Sequence, residues 1–127
     1  MAKVFLDANF FIGFVNRAPE IDTEILDKHE GYVATLSCHI LFYINKIDVP
    51  DSETNSFIKD FNLINFDRAI LDKALIGPTK DLEDNIQLHS AAEVGCDFFL
   101  TLDEKLLKMK FFGKVRILST LSEETVI

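Results

Sequence analysis

The sequence predicts an α/β protein, a three-layer α/β/α sandwich around a central, mainly parallel sheet. Three observations predict it. Short apolar runs of strand length alternate with longer stretches of helical spacing. Two of those runs end at an aspartate: Asp7 follows Val4-Phe5-Leu6, and Asp103 stands just beyond 98–101. The 127 residues are 48% apolar, with 12 phenylalanines. That is enough for one compact core, and no repeat, low-complexity stretch or linker divides it, so 1–127 is expected to be a single domain.

The elements follow in order. Lys3–Leu6 reads as the first strand. A helix follows at once, capped by Asp7 or Asn9, with Phe10, Phe11, Phe14 and Val15 at helical spacing. A second helix is expected over 22–30, stopped by Gly31. Residues 32–35 form a short buried strand and 37–46 a third helix, and the Val49-Pro50 step closes that region. Asp51 or Ser52 caps a helix to about residue 61. Residues 63–66 are a strand, and Asp67 caps a helix over 68–76 that Gly77-Pro78 breaks. The strongest helix runs from Asp81 or Leu82 to Val94, with Gly95 just past its end. Residues 97–101 are a strand, 104–109 a short helix and 115–118 a last strand, followed by a tail.

Composition narrows the function. The formal charge is −8, from 21 acidic against 13 basic residues. A general nucleic-acid binder needs a basic surface, so this balance disfavours one unless the acids converge on a cation. Cys38 and Cys96 lie far apart in apolar surroundings, as buried thiols rather than a disulfide framework or a zinc site. The longest apolar runs fall far short of the ~20 residues of a membrane helix. The N-terminus meets Asp7 after three apolar residues, without a signal-peptide segment, so a cytoplasmic location is expected. The five glycines fit no phosphate-binding fingerprint. Neither cysteine has an orienting base for nucleophilic catalysis.

Parallel β-α-β folds gather ligands beyond the carboxyl ends of their strands, where Asp7 and Asp103 both fall. Two acids at one edge repel each other and lose hydration unless a cation or a proton joins them. Asp84, in the first turn of the strongest helix, is the third candidate. Helix N-termini favour acids by about 0.3–1 kcal/mol, so capping alone accounts for some of Asp81, Glu83 and Asp84. Mg²⁺ or Mn²⁺ takes oxygen ligands and keeps several waters, so a few carboxylates suffice to hold it.

Three segments together resemble the PIN-domain family. Val4-Phe5-Leu6-Asp7-Ala8-Asn9 is similar to its opening strand and Asp-x-Asn step. The stretch from Lys80 to Ala91 resembles its acid-bearing helix, and Gly95 to Asp103 its glycine, apolar strand and Thr-x-Asp segment. The three occur in the family's order and span nearly the whole chain. The resemblance implies a divalent-metal-dependent ribonuclease acting on RNA, often the toxin of a VapC-kind toxin–antitoxin pair, with an antitoxin protein as partner and a homodimer as assembly. Carried over by position, Asp7, Asp84 and Asp103 would be catalytic metal ligands for Mg²⁺ or Mn²⁺. Asn9 would support Asp7 or meet substrate, Thr101 would stand behind the ligands, and Asp81 and Glu83 would be neighbours of the site. The family usually adds a Glu on the helix after the second strand. Residues 36–45 contain no acid, and His39 is the polar residue nearest that place. A neutral His suits Mn²⁺ better than Mg²⁺. The alternative is a PIN-like module that binds RNA or protein without cleaving. A phospho-accepting receiver domain fits poorly, because strand one ends in Asp7-Ala8-Asn9 rather than an acid pair.

Other residues read as structural. His89 should find a local partner mid-helix. His29 should sit at the carboxyl end of the 22–30 helix. Phe111-Phe112, among Lys108, Lys110 and Lys114, reads as a loop burying one ring, with RNA contact the competing reading.

Overall fold

The structure, a computed structural model, describes residues 1–121. The elements are β1 (Lys3–Leu6), α1 (Ala8–Val15), β2 (Glu30–Ala34), α2 (Thr35–Ile44), α3 (Ser52–Ile58) and β3 (Asn62–Ile64), then α4 (Arg68–Ala74), α5 (Leu82–Glu93), β4 (Phe98–Leu100), α6 (Glu104–Met109), β5 (Phe111–Phe112) and β6 (Val115–Leu118). From residue 122 the expected tail lies outside the described residues.

The strands form one sheet in the order β3-β2-β1-β4-β6-β5. All neighbours are parallel except β5, which pairs antiparallel with β6. The chain builds outward from β1 through β2 to β3, then returns to lay β4 on the other side of β1. The direction of building thus reverses between β1 and β4, whose register sets Leu6 against Leu100. Such a reversal leaves a crevice at the carboxyl ends of the two central strands.

Alternation along the strands sends side chains to two faces. Val4, Leu6, Val33, Phe98 and Leu100 pack with Phe10, Phe11 and Leu41 of α1 and α2, with Phe57 of α3 against them. Phe5, Phe99, Val115 and Ile117 pack with Ile70, Ile86, Leu88 and Leu106 of α4, α5 and α6. The Phe5 and Phe99 rings stack across neighbouring strands with centroids 5.2 Å apart. Helices therefore cover both faces, the expected three-layer sandwich. Both cysteines are buried free thiols, and burial pushes Cys96 up to about 12. Among the described residues no helix is long and apolar enough to cross a membrane.

Among the described residues, five of the six helices begin at an aspartate whose side chain accepts a backbone N–H of the first turn: Asp7, Asp51, Asp67, Asp81 and Asp103. Only α2 starts without one; Ala34 precedes it and its first turn holds no acid.

Four local expectations are corrected. Residues 22–29 are a chain of turns rather than a helix. Within them only Ile25 and Leu26 are apolar, too few to hold a helical stripe against the core. Gly31 accordingly stops nothing: it lies inside β2, where a Cβ would meet Leu26 Cδ1 at 3.0 Å and Phe61 Cδ1 at 3.1 Å. His29 has no helix end to serve, and its Nδ1 accepts the Ala2 backbone N–H at 3.2 Å. Phe111 and Phe112 form a strand where a loop was expected. Phe112 is half-buried with its ring edge-on to His89, while Phe111 is 55% exposed. His89 has its local partner too, with Nε2 2.9 Å from the Gly77 carbonyl.

Candidate metal centre at the strand switch

Asp7 directly follows β1, so strand geometry places it at the crevice. Its N–H donates to the Leu100 carbonyl at 3.1 Å, extending the β1–β4 ladder by one residue. Its Oδ1 accepts the Phe10 N–H at 2.8 Å, which makes Asp7 rather than Asn9 the cap of α1. The residue is only 5% exposed. That burial pushes its carboxyl up to about 6, against the opposing pull of the Thr101 hydroxyl and the Phe10 N–H; the charges of Asp103 and Glu83 push it further up.

Thr101 directly follows β4 and is fully buried. Its Oγ1 accepts the Asp103 backbone N–H at 3.0 Å, and its hydroxyl hydrogen-bonds toward Asp7. Asp103 in turn caps α6, accepting the Lys105 N–H at 2.8 Å.

The chain enters β4 from α5, so α5 runs against the strands and its first turn lies at their carboxyl ends. Asp81 is the cap there, accepting the Asp84 N–H at 3.0 Å. Capping therefore accounts for Asp81 and leaves the Asp84 carboxylate unexplained by it. Asp84 is half-buried, and its carboxyl is pushed up to about 6, first by burial, then by the charges of Asp81, Asp103, Asp7 and Glu83. Glu83 is exposed and is also raised, by partial burial and then by Asp81. Acids from three separate elements thus share one field. Among the described residues, no three His, Cys, Asp or Glu side chains already stand close enough to form a metal cage.

The remaining candidates divide. Asn9 is exposed in the first turn of α1. His39 is exposed on α2, two residues and so about 200° around the helix from buried Ser37, which faces α5. The sequence reading missed two amides that frame the site. Asn85 uses its whole hydrogen-bonding capacity on the α4–α5 connection: Nδ2 donates to the carbonyls of Ala74 and Thr79, and Oδ1 accepts the N–H and hydroxyl of Thr79. Gln87 is 2% exposed, and its Oε1 accepts the Ala8 N–H at 2.6 Å and the Ser37 hydroxyl at 3.4 Å. The available signal was a polar pair inside the four consecutive buried residues from Asn85 to Leu88.

No family model matches the chain, and no curated protein does. Solved structures do. VapBC2 from Rickettsia felis, bound to a DNA fragment from its promoter, superposes with a TM-score of 0.64 at 12% identity, covering 91% of this chain and 96% of that one. DNA-bound VapBC from Salmonella typhimurium gives 0.54 at 17% identity, covering 92% and 97%. The fold is that of a PIN domain. The likeness of fold runs over nearly the full length of both chains.

Proposed function

We propose that this PIN-like chain is a divalent-cation-dependent endoribonuclease hydrolysing RNA phosphodiester bonds, with Asp7, Asp84 and Asp103 as the residues that would hold Mg²⁺ or Mn²⁺. The observation that supports it is that Asp7 and Asp84 are both raised, first by burial and then by neighbouring acids, with Asp103 contributing to both, at the carboxyl ends of the central strands. Such an arrangement is costly unless positive charge is supplied. The donor set is all oxygen, which fits a hard cation that keeps part of its water shell and so needs no closed protein cage. A bound cation would supply charge stabilisation at the phosphodiester and a more acidic water. The chain's own groups do the rest. Asp7 is locked by Phe10 and Thr101 and presents a fixed oxygen. Asp84 carries no intramolecular bond to its carboxylate among the described residues, so it is free to turn toward solvent and take a proton.

Likeness to VapBC complexes supports a toxin's role with an antitoxin protein as partner; a homodimer is the assembly that goes with this reading. The test is cleavage of single-stranded RNA with and without Mg²⁺ or Mn²⁺. Activity should need the cation and vanish in Asp7→Asn and Asp103→Asn; metal-independent cleavage, or full activity in both variants, would sink the scheme.

One observation favours a second reading, a PIN-like RNA- or protein-binding module without catalysis: α2 carries no acid in its first turn. Calorimetry showing no heat of binding at millimolar Mg²⁺ or Mn²⁺ would select it.

A further inference from the structure

Gln87 lies on α5 one turn beyond Asp84 and binds the residue that follows Asp7. A backbone N–H only donates, so the group facing Ala8 has to be the amide oxygen; the orientation of the side chain is set by chemistry. Its NH₂ therefore points elsewhere, with two donors. Among the described residues no acceptor is bonded to it, whereas the buried polar side chains of Asp7, Asn85, Ser90 and Thr101 all have partners. Among the described residues, no fully enclosed side-chain nitrogen or oxygen is left unpaired. The Gln87 NH₂ is consequently the part of a 98%-buried residue that touches solvent, beside the start of α1.

We propose that the Gln87 Nε2 is a substrate contact, donating to a non-bridging oxygen of the RNA phosphate at the carboxylate crevice. This rests on the reading of that crevice as the site of RNA cleavage. A phosphate approaching Asp7, Asp84 and Asp103 meets like charge, and a neutral donor is the one kind of protein group that attracts it without displacing the cation from the acids. The uncapped start of α2 adds to this. Ser37, in its first turn, touches Gln87, and that helix end carries partial positive charge with no acid to offset it. Gln87 is no metal ligand, because its oxygen is already committed to Ala8.

The test uses the full chain labelled with ¹⁵N. The Gln87 side-chain NH₂ signals, assigned by their loss in Gln87→Met, are followed while a nucleoside 5′-monophosphate is added in Mg²⁺. They should shift and saturate together with backbone signals of the crevice. In parallel, Gln87→Glu keeps an acceptor for Ala8 and removes the donor. Its kcat on RNA should fall roughly 10–100-fold, the loss of one hydrogen bond to a charged group, with Mn²⁺ affinity held or raised, while the added buried charge lowers Tm in the absence of metal. NH₂ signals that stay fixed at saturation overturn the proposal. So does wild-type cleavage by both variants, and so does a rate loss that tracks lost Mn²⁺ affinity, which marks a purely structural role. If the wild type neither cleaves nor binds Mn²⁺, the ribonuclease reading fails, and the monophosphate titration still decides whether this amide meets phosphate.

Discussion

Thr101 accepts the backbone N–H of Asp103 at 3.0 Å and turns its hydroxyl toward Asp7. One fully buried side chain thereby spaces two acids that come from neighbouring strands. Thr101→Val keeps the shape and removes both bonds, stranding the Asp103 N–H; it should cost about 1–3 kcal/mol. Thr101→Ser should recover most of it. Urea unfolding of the two variants measures the difference, and equal stability would show that the hydroxyl is idle.

The Asp7 carboxyl has a folded-state pKa of about 6 against an ordinary 3.8. Between those values the native chain keeps a proton that the unfolded chain has released. The contribution to stability is complete below 3.8 and is lost as pH rises through about 6. The upper bound is about 3 kcal/mol, and Asp84 acts with the same sign. In EDTA, the stability of the wild type relative to Asp7→Asn should therefore decline from pH 4 to 7. A flat difference would refute the burial cause.

A cation should reverse that trend. At neutral pH, Mg²⁺ or Mn²⁺ at a hundred times its dissociation constant should stabilise the wild type by about 2.7 kcal/mol. Asp84→Asn should lose most of this gain. Thermal melts across a cation titration provide the measurement, and identical gains in both proteins would place the cation elsewhere.

His39 stands on the far side of α2 from Ser37 and is exposed. His39→Ala should leave Mn²⁺ affinity and RNA cleavage within about two-fold and stability within about 0.5 kcal/mol, as for an ordinary surface position. A large loss of affinity would return His39 to the site in place of the absent acid.

Much of this was legible because strand ends and helix starts announce themselves locally. An apolar run closing on Asp7, another closing on Thr101 and Asp103, and a capped helix carrying Asp84 are patterns within a few residues of sequence. What stayed hidden depends on contacts distant in the chain. Gly31 reads as a helix stop until Leu26 and Phe61 are seen crowding its α-carbon. His29 reads as an end-of-helix cation until Ala2 supplies its bond. Gln87 reads as one more polar helix residue; its meaning comes from Ala8, 79 positions away. Asp81 and Asp84 are alike in sequence, and only the cap geometry separates the one that serves the helix from the one that faces the other acids.

The Asn85 clamp has a consequence for how the cleft opens. With Ala74 and Thr79 both tied to one amide, the connection into α5 has no slack to act as a hinge, so the acid-bearing first turn moves only if α4 moves with it. Amide exchange should accordingly be slow at Thr79, whose N–H donates to the Asn85 Oδ1 at 2.9 Å.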